Sequence, residues 1–86
     1  MIDEGEAQRL VEIAVEQAGG ARNIVASPRH PFAMNAEEEH EVEGRVVTIH
    51  FSEQSAPAIA SVEGWIFEIR EHEYLMLQRP RKPRAQ

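Results

Sequence analysis

Four histidines are the most chemically versatile side chains of this 86-residue chain, because imidazole binds metal ions and acts as a general base near neutral pH. They stand at positions 30, 40, 50 and 72. Histidine ligands on one helix face lie about four residues apart and those on one strand face about two apart, and these histidines have neither spacing. Glu39-His40-Glu41 and Glu71-His72-Glu73 are typical of turns on an acidic surface. The sequence therefore predicts no metal site.

His50 differs from the other histidines because it lies within a β-prone run. It alternates with Ile49 and Phe51, so its side chain is expected on the sheet face opposite to theirs. The candidate ligand-binding residues on that second face are Thr48, His50, Trp65 and Glu68. A carboxylate across the sheet, from Glu68 or Glu43, would make His50 responsive to pH. The favoured interpretation is nevertheless an ordinary, half-exposed strand histidine.

The remaining reactive residue types form no catalytic pattern. Fifteen acidic residues make chance proximity of two carboxylates common, and general acid catalysis requires that one of them be desolvated. No serine lies in a Gly-x-Ser-x-Gly turn, and Gly19-Gly20 lacks the lysine of a phosphate-binding loop. The absence of cysteine excludes disulfides and thiolate chemistry. We therefore expect no catalytic residue and no cofactor, and the sequence favours a binding protein over an enzyme.

The first segment must be a helix, since its apolar residues recur at steps of three and four. These residues are Ala7, Leu10, Val11, Ala14, Val15 and Ala18. Asp3 stands where an N-cap is expected, and Gly19-Gly20 favours the left-handed turn at which helices end. The opposite side of this predicted helix is rich in glutamate. Such an acidic face argues against a helix that lies on a membrane surface.

Three later segments have the alternation of strands. Residues 42–52 are the clearest case, because Val47, Ile49 and Phe51 alternate with other side chains and β-branched residues dominate. Gly44 marks a bulge or the turn that leads into this strand. Residues 65–70 and 74–78 are predicted to form a hairpin. A helix across residues 62–77 is the alternative, since the apolar residues there also fit a helical stripe.

Three shorter segments complete the predicted order of elements. Residues 22–26 are expected to form a short strand, and the acidic run 37–41 is expected to be a solvated loop or turn. Residues 52–64 are rich in small side chains and are predicted to be either a two-turn helix or a loop. We find no internal repeat.

This order predicts an α+β domain over residues 1–78. An N-terminal amphipathic helix would pack on one face of a three- to four-stranded antiparallel sheet, with the other face partly open. A chain of this length makes a single domain with a small core. Residues 79–86 are predicted to be a flexible, disordered tail, because Pro80 and Pro83 block regular structure and no large apolar residue anchors the end.

Charge divides the chain at the same boundary. Residues 1–78 hold fifteen acidic and five basic residues, a net charge of −10, whereas residues 79–86 hold four basic residues and no acidic one. An acidic body repels phosphate backbones, so nucleic acid is an unlikely partner. The tail is interpreted as a solvated end that protects the last strand, as a contact for anionic partners, or as a counter-charge that folds back onto the chain's own acids. The candidate partner-contact residues are Trp65, Tyr74, Arg79, Arg81, Lys82 and Arg84.

Together these features predict a small acidic module that binds a protein partner or its own copy, in a regulatory, immunity-type or chaperone-like role. The alternative is a small-ligand-binding protein or an enzyme with its site near His50. No segment is apolar and long enough to span a membrane, and no signal peptide is seen at the N-terminus, so the cytoplasm is the expected compartment.

Overall fold

The computed structural model describes residues 1–26, 37–53 and 56–81 and shows an α+β architecture. Its elements are helices α1 (Glu4–Gln17) and α2 (Ala21–Ala26) and strands β1 (Glu37–Val42), β2 (Arg45–His50), β3 (Ile59–Val62), β4 (Trp65–Ile69) and β5 (Tyr74–Gln78). All neighbouring strands pair antiparallel, in the order β1-β2-β3-β4-β5. The predicted fold class is thus confirmed, but the sheet has five strands where three or four were expected. Neither described helix is long and apolar enough to cross a membrane.

Helix α1 forms as the sequence predicts, and both of its ends are closed by hydrogen bonds. The Asp3 carboxylate accepts a bond from the Glu6 backbone N–H at 2.8 Å, which satisfies one of the free donors of the first turn. At the other end Gly20 N–H donates to the Val15 carbonyl at 2.8 Å, with Gly19 and Gly20 both at positive φ. The buried stripe contains Ala7, Leu10, Val11, Ala14 and Val15.

The core lies between α1 and one face of the sheet. The sheet contributes alternate side chains of β2, β3 and β4 to it, and β4 contributes most through Trp65, Phe67 and Ile69. Phe67, the largest fully buried side chain, meets no solvent. Burial of one such side chain contributes roughly 2–3 kcal/mol to folding. The other face of the sheet has no described element packed on it, so its side chains remain accessible.

Two hairpins share the same turn, Val-Glu-Gly, at positions 42–44 and again at positions 62–64. Glu43 and Gly44 have φ of 52° and 80°, and Glu63 and Gly64 have φ of 45° and 89°. Positive φ at both central residues is the geometry of the type I′ turn, whose twist matches paired strands. β1-β2 and β3-β4 are therefore joined by the same kind of two-residue turn, although the sequences of their strands differ.

Three predicted elements are corrected by the structure. Residues 22–26 form most of helix α2 rather than a strand, since Ile24 packs into the core and this packing outweighs a weak local preference. The acidic run 37–41 belongs to strand β1, because its backbone pairs with β2 while alternate glutamates point to solvent. Residues 59–62, expected in a helix or loop, form β3 with Ala60 and Val62 inward. The hairpin predicted from residues 65–70 and 74–78 is confirmed as β4-β5.

Candidate functional site

The open face of the sheet holds three of the four side chains that were expected to bind a ligand. Thr48 and His50 of β2 lie on it, and so does Glu68 of β4, separated from His50 by Ile59 of β3. His50 stands directly opposite Glu37 of β1, with its Nδ1 3.4 Å from Glu37 Oε2. Both side chains are half exposed. The carboxylate beside His50 is therefore Glu37, and not Glu68 or Glu43 as the sequence suggested.

Glu68 and Arg70 form a fixed ion pair on this face. Arg70 Nε donates to Glu68 Oε2 at 2.6 Å, and Arg70 Nη1 donates to Glu73 Oε1 at 2.8 Å. These hydrogen bonds raise the pKa of the Arg70 guanidinium, and the bond to Glu68 has the larger effect. Both carboxylates are thus engaged by one guanidinium, an arrangement that suits a structural contact.

Trp65 does not join Thr48, His50 and Glu68. Along β4 the side chains of Trp65, Phe67 and Ile69 face α1, and those of Ile66 and Glu68 face the open side. The indole Nε1–H donates to the Ile2 carbonyl at 3.1 Å and so ties the N-terminus to the sheet. Trp65 is thus a core residue that lies apart from the other three side chains, and its predicted ligand and partner contacts stay predictions.

No cleft or cavity of ligand size occurs within residues 1–26, 37–53 and 56–81. The same ranges contain no group of three or more His, Asp or Glu side chains placed to hold a metal ion.

The two edges of the sheet differ sharply in character. Strand β1 carries glutamates at positions 37, 38, 39 and 41, and such charge discourages pairing with another strand. Strand β5, Tyr-Leu-Met-Leu-Gln, has no charged residue and ends the sheet on the other side. Its Leu75 and Leu77 are 42% and 49% exposed, while Tyr74 and Met76 pack against the core. β5 is thus an apolar edge that lacks the usual charged protection within the strand.

A β-bulge interrupts the pairing of β4 and β5 near its end. The register passes from Ile66 opposite Gln78 to Phe67 opposite Met76, which leaves Leu77 as the extra residue. A bulge bends the strand and increases its twist. Leu75 lies in the regular part of the pairing opposite Glu68, and Leu77 is the bulged residue.

Charged residues flank β5 on both sides. Glu71 and Glu73 precede it, and Arg79 and Arg81 follow it. The side chains of Glu71, Glu73 and Arg79 are 50%, 60% and 65% exposed. An uncharged strand thus lies between an acidic and a basic flank that solvent and partners can both reach.

Arg79 and Pro80, at the beginning of the tail, contact residues of the predicted domain. Arg79 Nη2 lies 3.4 Å from Glu4 Oε1, and its guanidinium carbon stands 5.9 Å from the centre of the Trp65 ring. Pro80 rests on Gly64 so closely that a Cβ there would lie 2.9 Å from Pro80 Cβ. Arg79 and Pro80 thus lie against α1 and the β3-β4 turn, and the boundary at residue 78 stays a prediction. The predicted disorder of 82–86, and the predicted contacts of Lys82 and Arg84, lie outside the described residues.

Of the remaining partner-contact residues, Tyr74 is half-buried at the start of β5, and Arg79 and Arg81 are exposed. Burial, followed by the charges of Glu12 and Glu16, raises the pKa of the Tyr74 phenol. Leu75 and Leu77 are exposed as well but were not among the residues predicted from sequence. The signal that could have revealed them is a strand that is apolar on both faces, since a single helix covers only one face.

Comparisons with models of protein families, with curated proteins and with solved structures find no match to this chain. Its function must be inferred from its own surfaces.

Proposed function

We propose that this protein is a non-catalytic interaction module that adds an extended segment of a protein partner to its sheet beside β5. The observation that carries the proposal is the contrast between the two edges of the sheet. Four of the six residues of β1 are glutamates, whereas β5 has no charge and exposes Leu75 and Leu77.

Strand addition is a common way for an exposed sheet edge to recognise a protein. Backbone hydrogen bonds supply affinity, and alternate side chains of the edge supply specificity. Natural proteins usually blunt free edges with charges, so an edge that keeps two exposed leucines is suited to being covered. Burying the exposed half of each leucine would contribute about 1 kcal/mol per side chain.

The charge of the domain narrows the class of partner. Residues 1–78 carry a net charge of −10, so the domain repels an acidic segment and favours a neutral or basic one. The partner can be another protein or a second copy of this chain, whose own β5 is neutral. A regulatory role in the cytoplasm completes the proposal and rests on the acidic surface and the absence of cysteine.

The alternative function, a ligand or enzyme site near His50, has less support. It would rest on the contact of His50 with Glu37 and on the neighbouring hydroxyls of Thr48 and Ser61. These groups lie on an open strand surface. The β5 edge, by contrast, combines exposed apolar area with free backbone pairing positions along the described part of the sheet.

A photo-crosslinking experiment tests the proposal. A benzoylphenylalanine in place of Leu77 should capture an extended segment of a partner in cells that express the protein. The matched control places it at Val46, which is equally exposed but lies on the open face near the β1-β2 turn. In the variant that carries the probe at position 77, the further substitution Leu75→Lys should abolish capture of the partner. Equal capture at both positions, or capture from Val46 alone, would contradict strand addition at β5.

A further inference from the structure

The charges on the two sides of β5 have opposite signs, which affects how two copies of this strand can pair. Read along the chain, the segment passes from acidic (Glu71, Glu73) through the neutral strand to basic (Arg79, Arg81). If two such segments lie parallel, each flank meets a flank of its own sign. If they lie antiparallel, each acidic flank meets a basic flank. The segment is therefore complementary to itself in the antiparallel orientation alone.

We infer that the segment which pairs with β5 is β5 of a second copy, in antiparallel orientation around a twofold axis near Met76. This inference rests on the proposed function and names its partner. In that register Leu75 lies across from Leu77 of the second copy. Glu73 lies across from Arg79 of that copy, and Glu71 across from its Arg81.

Other pairings of two copies fit less well. Two β1 edges would bring Glu37, Glu39 and Glu41 of each copy against the same residues of the other, which is repulsive. A β1 edge against a β5 edge would leave one free edge on each copy and so would continue into an open-ended array. Pairing of β5 with β5 closes the assembly with one twofold axis and makes a continuous ten-stranded sheet. It also places the two acidic β1 edges at the far ends.

The flanking charges have contacts within the monomer, but these leave them accessible. Arg79 lies 3.4 Å from Glu4, and Glu73 lies 2.8 Å from Arg70, both pairs between exposed side chains. Exposed pairs of this kind contribute little to the stability of a protein. A second copy can therefore compete for the same charges at little cost. The bulge at Leu77 disrupts regular backbone pairing at that position. The ion pairs between the flanks would therefore help to fix the antiparallel orientation of the two strands.

Charge exchange tests this arrangement. The wild-type protein should form a dimer of twice its 9.7 kDa mass in sedimentation equilibrium at low salt. Glu71→Lys with Glu73→Lys makes both flanks basic, and Arg79→Glu with Arg81→Glu makes both acidic. Each variant alone should dimerise about tenfold more weakly, and an equimolar mixture of the two should restore the dimer as a heterodimer.

The matched control is Glu39→Lys with Glu41→Lys, which changes net charge equally on the opposite edge and should leave the dimer intact. Arg79 packs on Trp65, so its replacement could also affect folding. A second mixture therefore combines the single variants Arg81→Glu and Glu71→Lys, which leave Arg79 in place. Circular dichroism checks that every variant is folded. Failure of the mixtures to restore association would overturn the inference. So would an equal effect of the control variant.

The photo-crosslinking result separates this inference from the proposed function. Adducts from position 77 that map to residues 71–81 of the same protein support both. Adducts that map only to another protein, with a monomeric wild type, refute the second copy and leave strand addition standing. The absence of any adduct from position 77, together with a monomeric wild type, refutes both.

Discussion

Arg9 of helix α1 holds Glu43 of the first hairpin turn at two points. Arg9 Nη1 lies 2.6 Å from Glu43 Oε2, and Nη2 lies 2.8 Å from Oε1. Glu43 occupies positive φ, a conformation that non-glycine residues adopt rarely. The guanidinium thus fixes the turn to the helix across 34 residues of sequence, and its hydrogen bonds hold the pKa of Glu43 below the ordinary range.

The first prediction concerns acid stability. A carboxyl whose pKa is lowered by folding contributes stability that is present above its unfolded-state pKa and is lost as pH falls through its folded-state pKa. Part of the loss of stability in acid should therefore come from Glu43. In Glu43→Gln the curve of unfolding free energy against pH, measured with urea, should be lower at neutral pH and shallower in the acidic range. Glu41→Gln, which removes the same charge nearby, should keep the wild-type slope; equal slopes for both variants would contradict the assignment.

The second prediction compares the two hairpin glycines. Gly44 and Gly64 both have positive φ, so alanine at either position should cost about 1 kcal/mol from backbone strain. A Cβ at Gly44 would meet open space, whereas one at Gly64 would lie 2.9 Å from Pro80 Cβ and 3.1 Å from its Cα. We expect Gly64→Ala to cost about 1 kcal/mol more than Gly44→Ala, because Pro80 must move. Thermal melts of the two variants measure the difference, and removal of residues 79–86 should abolish it.

How much of this architecture is predictable from sequence depends on what each segment buries. Helix α1, β2 and the β4-β5 hairpin follow from alternation because large apolar residues mark one face. β1 was missed because it buries only Val42 and four of its other residues are glutamates, and β3 because its inward residues include the small Ala60. Both hairpin turns use Glu-Gly rather than Asn-Gly or Asp-Gly, so the usual signal was weak.

The candidate site was predictable to a smaller extent. Alternation correctly places Thr48 and His50 on the open face, but it also places Trp65 with Phe67 on the buried one. The partner of His50 depends on the register of β1, which follows from the position of the first turn and not from any local pattern. The exposed leucines of β5 become apparent only once a single helix is known to cover one face.

The third prediction concerns Trp65, whose indole N–H is bonded to the Ile2 carbonyl in the core. Trp65→Phe keeps an aromatic ring but leaves this carbonyl without its donor, so we expect a loss of about 1–3 kcal/mol in unfolding free energy. Removal of residues 1–2 should lower the stability of the wild type more than that of Trp65→Phe. Urea titrations of the four proteins form a double-mutant cycle, and strict additivity would exclude coupling between these groups.

The fourth prediction concerns Ser52, the single buried polar residue among those the structure describes. Its hydroxyl lies 3.1 Å from the Ile24 carbonyl and 3.2 Å from the Val25 carbonyl, at the free end of α2. Ser52→Ala should therefore cost about 1 kcal/mol and should increase amide hydrogen exchange in α2. Ser61→Ala, on the open face of β3, is the matched control and should change stability by less than about 0.5 kcal/mol.

The fifth prediction concerns alkaline pH and uses Tyr74, the chain's single tyrosine. Burial, with smaller effects from Glu12 and Glu16, raises the pKa of its phenol in the folded protein. A group with a raised folded-state pKa contributes stability that is complete below its unfolded-state pKa and is lost as pH rises through its folded-state pKa. The folded protein should thus ionise this phenol at higher pH than the urea-unfolded chain does, measured by ultraviolet absorbance. Glu12→Gln with Glu16→Gln should reduce the difference only in part, because burial dominates. If this double variant instead ionised the phenol at the same pH in the folded and unfolded protein, the two glutamates would be the cause of the raised pKa. Tyr74 would then be more open to solvent than its packing indicates.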